Sequence, residues 1–350
     1  MQPVSMSEQR LCELEPMLVG DSPAMKGLRQ LILKVAPTRA SVMLHGETGA
    51  GADVVARAIH RVGRQPDGPF VTLSMASIQP GCTEYSLFGR DTNLLRDAAG
   101  RDEQGHCEAA DGGTLFLDEI AEMEMQAQPK LFRFLQEAKF QRVGSQQERQ
   151  ASVRVIAATH RHPEALVADG YLREDLFFRL SVVPAHVAPL RDRPEDIPAI
   201  ASYFLRQAAT KHERAVTEFA DDALLLLQQH DWPGNMRQLE NVVERLVVFA
   251  RGQFIGADDI PIDDQLAAGY AGSNRFSNNR KYPIAGNPVD SNSPLTPIER
   301  HERGVIVDAL RRADGHVVSA ARLLGLGQAT MYRKIKQYAI PRERRTRHAK

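Results

Sequence analysis

Cysteine is scarce in this 350-residue chain. Cys12, Cys82 and Cys107 have no paired spacing, which argues against a disulfide framework or a zinc site and for a reducing compartment. No run of about 18 apolar residues occurs, so no membrane span is expected. Residues 1–15 carry acids and lack an apolar stretch, so no secretory leader is expected and the reading is cytoplasmic. Net charge is lacking too, because 44 Lys/Arg meet 44 Asp/Glu. The balance is uneven, however. From Thr296 to Lys350, 13 basic residues face 5 acidic ones, a surplus of eight that the remainder of the chain must cancel. A basic end on an acidic body points to an anionic partner for that end.

One further absence concerns a single lysine. Gly46-Glu47-Thr48-Gly49-Ala50-Gly51-Ala52-Asp53 has the glycine spacing of the phosphate-binding loop G-x-x-x-x-G-K-[ST], but Ala52 stands at the Lys position and Asp53 at the hydroxyl position. The glycines still allow backbone N–H groups to curl around phosphate oxygens at a helix N-terminus. The mobile charge that supports hydrolysis is gone. A Gly-rich turn between strand and helix can equally be only a turn.

What is present divides into sections. Short apolar strands alternate with helical patterns from about Leu18 to Pro189, which predicts a parallel α/β sheet. Strands are expected at Ser41–Leu44, Phe70–Leu73, Thr114–Leu117 and Val153–Ala158, with a helix over Ala52–Val62. From Asp192 to about Gly252 the pattern is helical with no strand signal, with helices expected at Ile200–Ala208, Ala220–Gln229 and Met236–Ala250. Asp263–Pro297 is rich in Ser, Asn, Gly and Pro and reads as a flexible linker. Helical patterning then returns. The expected division is an N-terminal extension 1–17, an α/β subdomain 18–191, a helical lid 192–262, the linker 263–297, a helix-turn-helix domain 298–341 and a basic tail 342–350.

Gly112-Gly113-Thr114-Leu115-Phe116-Leu117-Asp118-Glu119 is an apolar strand ending in two acids. It places carboxylates at the sheet edge where open α/β sheets bind ligands. In P-loop ATPases the first such acid holds Mg²⁺ and the second orients the attacking water. The bland alternative is a buried strand ending in a helix cap. Arg173 and Arg179 lie in a helical segment containing Glu174 and Asp175. They can pair with those neighbours, or reach a neighbouring copy's phosphates in trans.

Near the C-terminus, Ala320 and Ala321 permit close helix packing, Gly325 makes a sharp turn, and Leu326 plugs the gap. A second helix then presents Gln328, Thr330, Arg333 and Lys334, with Lys336 nearby. This is a helix-turn-helix pattern whose second helix enters the major groove. Arg333, Lys334 and Lys336 suit phosphates, and residues near the helix start suit base edges. A small helical protein-binding module is the alternative, but the surplus of positive charge favours DNA.

Together these segments resemble the bacterial enhancer-binding proteins, the AAA+ activators of sigma-54 RNA polymerase. Leu18–Met25, Gly113–Ile120, Val153–Thr159, Arg173–Leu180, Pro189-Leu190-Arg191 and Trp232-Pro233-Gly234-Asn235-Met236-Arg237 are each similar to a family signature, and the end is similar to a Fis-type DNA-binding domain. The resemblance implies a nucleotide-binding loop over residues 46–53, Asp118 and Glu119 as the paired acids with Asp118 on Mg²⁺, Arg173 and Arg179 as arginine fingers, and Arg237 as the second sensor. It also implies ATP as cofactor, DNA and RNA polymerase as partners, and oligomeric rings, either homo-oligomeric or mixed with an active homologue.

The chain departs from that family at several points. Ala52 replaces the Lys, and the GAFTGA loop is missing after Leu87-Phe88-Gly89, where Arg90–Ala98 stands instead. Ser74 occupies the position of an Asn that restrains Glu119, and His160 that of the first-sensor Asn. No receiver domain is expected in the first 19 residues. These losses fall on the motor and spare the core and the DNA module. The expectation is a DNA-binding regulator on an AAA+ scaffold with weakened ATP·Mg²⁺ binding and weak or absent hydrolysis. The alternatives are a working ATPase with an altered sigma-54 loop and a regulator switched by a nucleotide ligand in the old cleft.

Overall fold

The computed structural model describes residues 10, 12–15, 17–91, 103–250, 252–260, 297–313 and 324. The chain divides into two compact units, Met1–Ala271 and Gly272–Lys350.

The first unit is built on five parallel strands: β1 Val42–Gly46, β2 Phe70–Ser74, β3 Thr114–Asp118, β4 Arg154–Thr159 and β5 Val183–Val187, in the spatial order β2-β3-β4-β1-β5. Four match the expected strands within one or two residues. β5 was not foreseen. Its sequence, Val-Pro-Ala-His-Val, carries a proline, which demotes a run as a strand signal; the sheet edge tolerates it because an edge strand lacks one neighbour.

Alternate residues face opposite layers. Met43, Leu73, Leu115, Leu117, Val155 and Ala157 pack on one side against Leu131, Phe134, Leu176 and Leu180 from the helices Gln128–Glu137 and Glu174–Leu180. Val42, Leu44, Phe116, Ile156 and Ala158 pack on the other against Ile32, Val55 and Ile59 from the helices Pro23–Val35 and Ala52–Arg61. Cover on both faces explains why the strands read as continuous apolar runs.

The lid section holds the helices Ile197–Lys211, Asp221–Gln228 and Asn235–Phe249 around the fully buried Trp232. The expectation of no strands there needs correction: Glu218–Phe219 pairs in parallel with Phe254–Ile255. Two residues per strand are too few to show a period in the sequence. Buried Asp196 joins this section to the segment before the first helix. Its carboxylate accepts from the Asp21 N–H at 2.7 Å, the Ser22 N–H at 2.8 Å and the Ser22 hydroxyl at 2.6 Å.

Three histidines set a pH dependence. Burial pushes His45, His60 and His230 below their ordinary value of 6.5. The His230 Nδ1 accepts the Trp232 N–H, a role open only to the neutral ring. The unfolded chain therefore takes up protons, on passing below pH 6.5, that the folded chain resists. The stability these rings contribute is complete above 6.5 and lost as pH falls through their depressed folded values. Urea midpoints measured at pH 7.5 and 5.5 should be lower at 5.5; an equal or higher midpoint there would contradict the assignment.

The second unit contributes the helix Pro297–Arg312, in which Ile306 and Ala309 are buried. Gln328, Thr330, Arg333, Lys334 and Lys336, the 263–296 part of the expected linker and the tail 342–350 lie outside the described residues.

Candidate functional site

The C-terminal ends of β1, β3 and β4 converge because the strands are parallel and adjacent. β1 delivers the Gly loop, β3 delivers Asp118 and Glu119, and β4 is followed by His160. The helix leaving the loop starts at Ala52 with Gly51 as its cap at φ 103°, and Gly49 adopts φ 78°, both in the left-handed region open to glycine. A side chain at Gly49 would also strike the Gly234 carbonyl oxygen, at 2.5 Å.

The carbonyls of this loop are turned toward the lid. Thr48 O accepts from Asn235 Nδ2 at 3.2 Å, Gly49 O from the Met236 N–H at 2.9 Å, and Ala50 O from Arg193 Nη2 at 3.1 Å. The Glu47 carboxylate accepts both arms of Arg191, at 2.5 and 2.7 Å, and this pair, helped by Asn235, holds it below the usual carboxylate range. The N–H groups of Gly49, Gly51 and Ala52 meet no acceptor among the described residues. Carbonyls engaged and amides free is the arrangement of an anion-binding nest.

The side chains around this nest carry the wrong charge for a triphosphate. Relative to the phosphate-loop motif, Ala52 removes a positive charge and Asp53 adds a negative one, a swing of two units. Burial raises the Asp118 pKa most, the Glu119 charge next and the Asp53 charge after it, while Arg237 at the start of the lid helix pulls the other way. The backbone thus fits a phosphate group. The side chains at 52 and 53 do not supply the ammonium or the hydroxyl that Mg²⁺·ATP chemistry uses.

Glu119 sits in the left-handed region at φ 56°, ψ 54°, a sparsely populated conformation for a non-glycine residue that clusters at functional sites. Its Oε2 accepts from the His160 ring at 2.7 Å and the His160 backbone N–H at 3.4 Å. His45 lies beside them, with the rings of His162 and His186 at 5.4 and 5.6 Å.

Comparison with known proteins agrees with this layout. Residues 18–186 match the sigma-54 interaction domain, 191–272 an AAA+ ATPase lid domain, and 297–338 the Fis family of bacterial regulatory proteins. The chain is 41% identical over 318 residues to the transcriptional regulatory protein ZraR of Escherichia coli K12, covering 91% of this chain and 68% of that protein. It is 37% identical over 330 residues to the DNA-binding transcriptional regulator NtrC of Klebsiella pneumoniae, covering 92% and 70%.

The chain belongs to the sigma-54-dependent enhancer-binding proteins.

Its fold is accordingly an AAA+ P-loop sheet domain with a helical lid and a C-terminal Fis-type helix-turn-helix domain. Among solved members, NtrX from Brucella abortus in complex with ADP superposes with a TM-score of 0.65 at 36% identity, covering 95% of this chain and 71% of that one. The same protein in complex with ATP gives 0.64 at 35%, covering 95% and 73%.

In this enhancer-binding protein, Arg173 and Arg179 take partners other than the paired acids. Arg173 lies at the N-terminus of the helix Glu174–Leu180 and pairs with Asp175 at 2.8 Å, while Arg179 donates to Leu135 O at 2.8 Å. The buried Gln128 amide sets this helix, donating to Tyr171 O and accepting from the Arg173 N–H. Phe178 and Val182, in and just after this helix, are exposed.

Arg191, Arg193 and Asn235, which dock the lid on the Gly loop, escaped sequence reasoning as site residues. Two of them lie in quoted family signatures, but each reads locally as an ordinary helix-end residue. Only the folding back of 143 to 188 residues of chain between loop and lid reveals the contacts.

Proposed function

We propose that this enhancer-binding protein is a DNA-binding transcriptional regulator whose AAA+ body assembles but hydrolyses ATP weakly or not at all. The observation that carries the reading is the inverted charge at Ala52 and Asp53 beside Asp118, in a loop whose backbone and lid contacts are intact. Phosphoryl transfer depends on positive charge around the transferring group, and the cleft offers carboxylates there instead. The NtrX complexes with ADP and ATP support nucleotide binding as a retained family property, here held through the 46–53 backbone and Arg237, with Asp118 on any Mg²⁺.

Assembly would use the surface of Arg173, Arg179, Phe178 and Val182, in a homo-oligomer or in mixed rings with an active homologue. RNA polymerase is the second partner, and the cytoplasm the setting. DNA is bound through the Fis-type segment, with Gln328 and Thr330 near base edges and Arg333, Lys334 and Lys336 on phosphates. Replacing both Arg333 and Lys334 by Ala should weaken binding about equally to all sequences and lower the salt slope of log K by about two. An unchanged slope would remove these residues from the interface.

A sigma-54-dependent reporter in a strain without other activators tests the central reading. Stimulation by this chain alone, with measurable ATP turnover, would favour the second reading, an active motor with an altered loop. Retention of Asp118, Glu119, Arg173 and Arg179 supports that alternative. A ligand-switched regulator is the third; calorimetric titration with ATP, ADP and cyclic dinucleotides addresses it.

A further inference from the structure

The Arg193 guanidinium is buried and makes no salt bridge among the described residues. The residue is 2% exposed and lies between two short turns, Leu190–Asp192 and Pro194–Asp196. A charge removed from water ordinarily meets an opposite charge. Here Nη1 meets the Met25 sulfur at 2.8 Å and Nη2 the Met236 sulfur at 3.6 Å, while Nε is buried with no acceptor among the described residues. The only oxygen the guanidinium reaches among those residues is Ala50 O, at 3.1 Å. Asp196 is within electrostatic reach, but its carboxylate is taken up by the Asp21 N–H, the Ser22 N–H and the Ser22 hydroxyl.

Ala50 O belongs to the same peptide group as the Gly51 N–H, one of the three free amides of the nest. Each of those amides has its peptide carbonyl held from behind. Thr48 O, in the peptide of the Gly49 N–H, accepts from Asn235; Ala50 O accepts from Arg193; Gly51 O, in the peptide of the Ala52 N–H, accepts from the Val55 N–H. A donor on the carbonyl polarises the peptide and strengthens its N–H as a donor in turn. Asn235 and Val55 bring neutral groups to this task. Arg193 brings a charge, and a buried charge is screened far less than one in solvent. We infer that Arg193 is a positioning residue for a bound phosphate: it acts through the Ala50–Gly51 peptide and supplies, from behind the loop, part of the positive field that the residue at 52 does not. The inference rests on the proposed retention of nucleotide binding and deepens it, naming the charge that offsets Asp53. The benefit is mutual, because an anion in the nest provides the counter-charge that Arg193 lacks.

Calorimetric titration of the full-length chain with ADP and, separately, with adenosine tests it. Arg193→Met keeps the length of the side chain and suits the sulfurs around it, while removing the charge and the donor. It should weaken ADP about tenfold, the lower end of what a hydrogen bond to a charged group contributes, and leave adenosine, which has no phosphate, within about twofold. Arg193→Lys, which keeps the charge, should hold ADP within about threefold of the parent. The same series in the A52K/D53T background, where ADP should bind more tightly, should show the same step. Equal losses of ADP and adenosine would reduce Arg193 to a structural role and overturn the inference. So would unchanged ADP affinity in Arg193→Met, or a Lys variant as weak as the Met one. If Arg193→Met does not fold, Arg193→Gln takes its place with the same expected order, since its amide can hold Ala50 O without the charge. Fast ATP turnover by the unmodified chain would defeat the idle-motor reading and leave this comparison standing. Failure of ADP to bind even in A52K/D53T would overturn retained nucleotide binding and the inference with it.

Discussion

Incubated with Mg²⁺ and ATP, the unmodified protein should release phosphate at the rate of buffer alone, while the A52K/D53T variant should bind ATP about a hundredfold more tightly than the unmodified chain does. Each substitution addresses one charge. A lysine at 52 restores charge-assisted bonds worth about 1.5–3 kcal/mol, and removing the Asp53 carboxylate ends a repulsion felt both by phosphate and by Asp118. Together these reach about 3 kcal/mol, or roughly two decades in affinity. Ala52→Lys alone should recover only part, since the new ammonium would stand beside the Asp53 carboxylate. The nest and the lid contacts need no repair, because the Gly loop carbonyls are already turned to Asn235, Met236 and Arg193. Calorimetric titration gives the affinities and a coupled phosphate assay gives the rates. Fast phosphate release by the unmodified chain, abolished by Glu119→Gln, would defeat the proposal; so would an A52K/D53T variant no tighter than its parent.

Trp232→Ala should destabilise the lid by about 3–5 kcal/mol, as is usual for emptying a large aromatic site. Trp232 is 0% exposed among Leu190, Ile197, Leu205, Leu239 and Val243. Its indole N–H donates to Leu227 O at 2.8 Å, its backbone N–H to His230 Nδ1 at 2.9 Å, and its ring lies 4.6 Å from that of His230. Truncation leaves a cavity and takes away the shorter hydrogen bond to Leu227 O, which keeps the His230 N–H at 3.5 Å. The cost should reach the cleft, because Trp232 immediately precedes the turn that presents Asn235 and Met236 to the Gly loop. Urea titration should show the loss, and Trp232→Phe should lose less by keeping most of the ring volume. A Trp232→Ala variant within about 1 kcal/mol of its parent would show that the lid is not organised around this side chain.

Much of the site was legible because its chemistry is local. A strand running into two acids announces Asp118 and Glu119, and two glycines at the right interval announce the loop. The expected lid helices appear with ends shifted by at most three residues, Ile197–Lys211 against Ile200–Ala208. Elements lacking such local marks were missed. β5 hides behind Pro184, and the hairpin pairing Lys139–Gln141 with Glu148–Gln150 has mostly polar strands with no apolar alternation. The pairing of Arg173 with Asp175, two positions away, was open in the sequence and is adopted within the chain; the geometry of one chain leaves a role toward a neighbour's phosphates as a proposal.

The sequence by itself determined which charges the loop owns: an ammonium absent at 52 and a carboxylate present at 53 are matters of covalent chemistry and no fold can alter them. Tertiary structure alone decided where those charges act. Parallel strands bring the ends of distant segments to one edge, so Asp53 comes within electrostatic reach of Asp118 and the His160 ring ends on Glu119. Neither meeting has a periodicity or a motif to announce it, because register across a sheet is set by the packing of both its faces together.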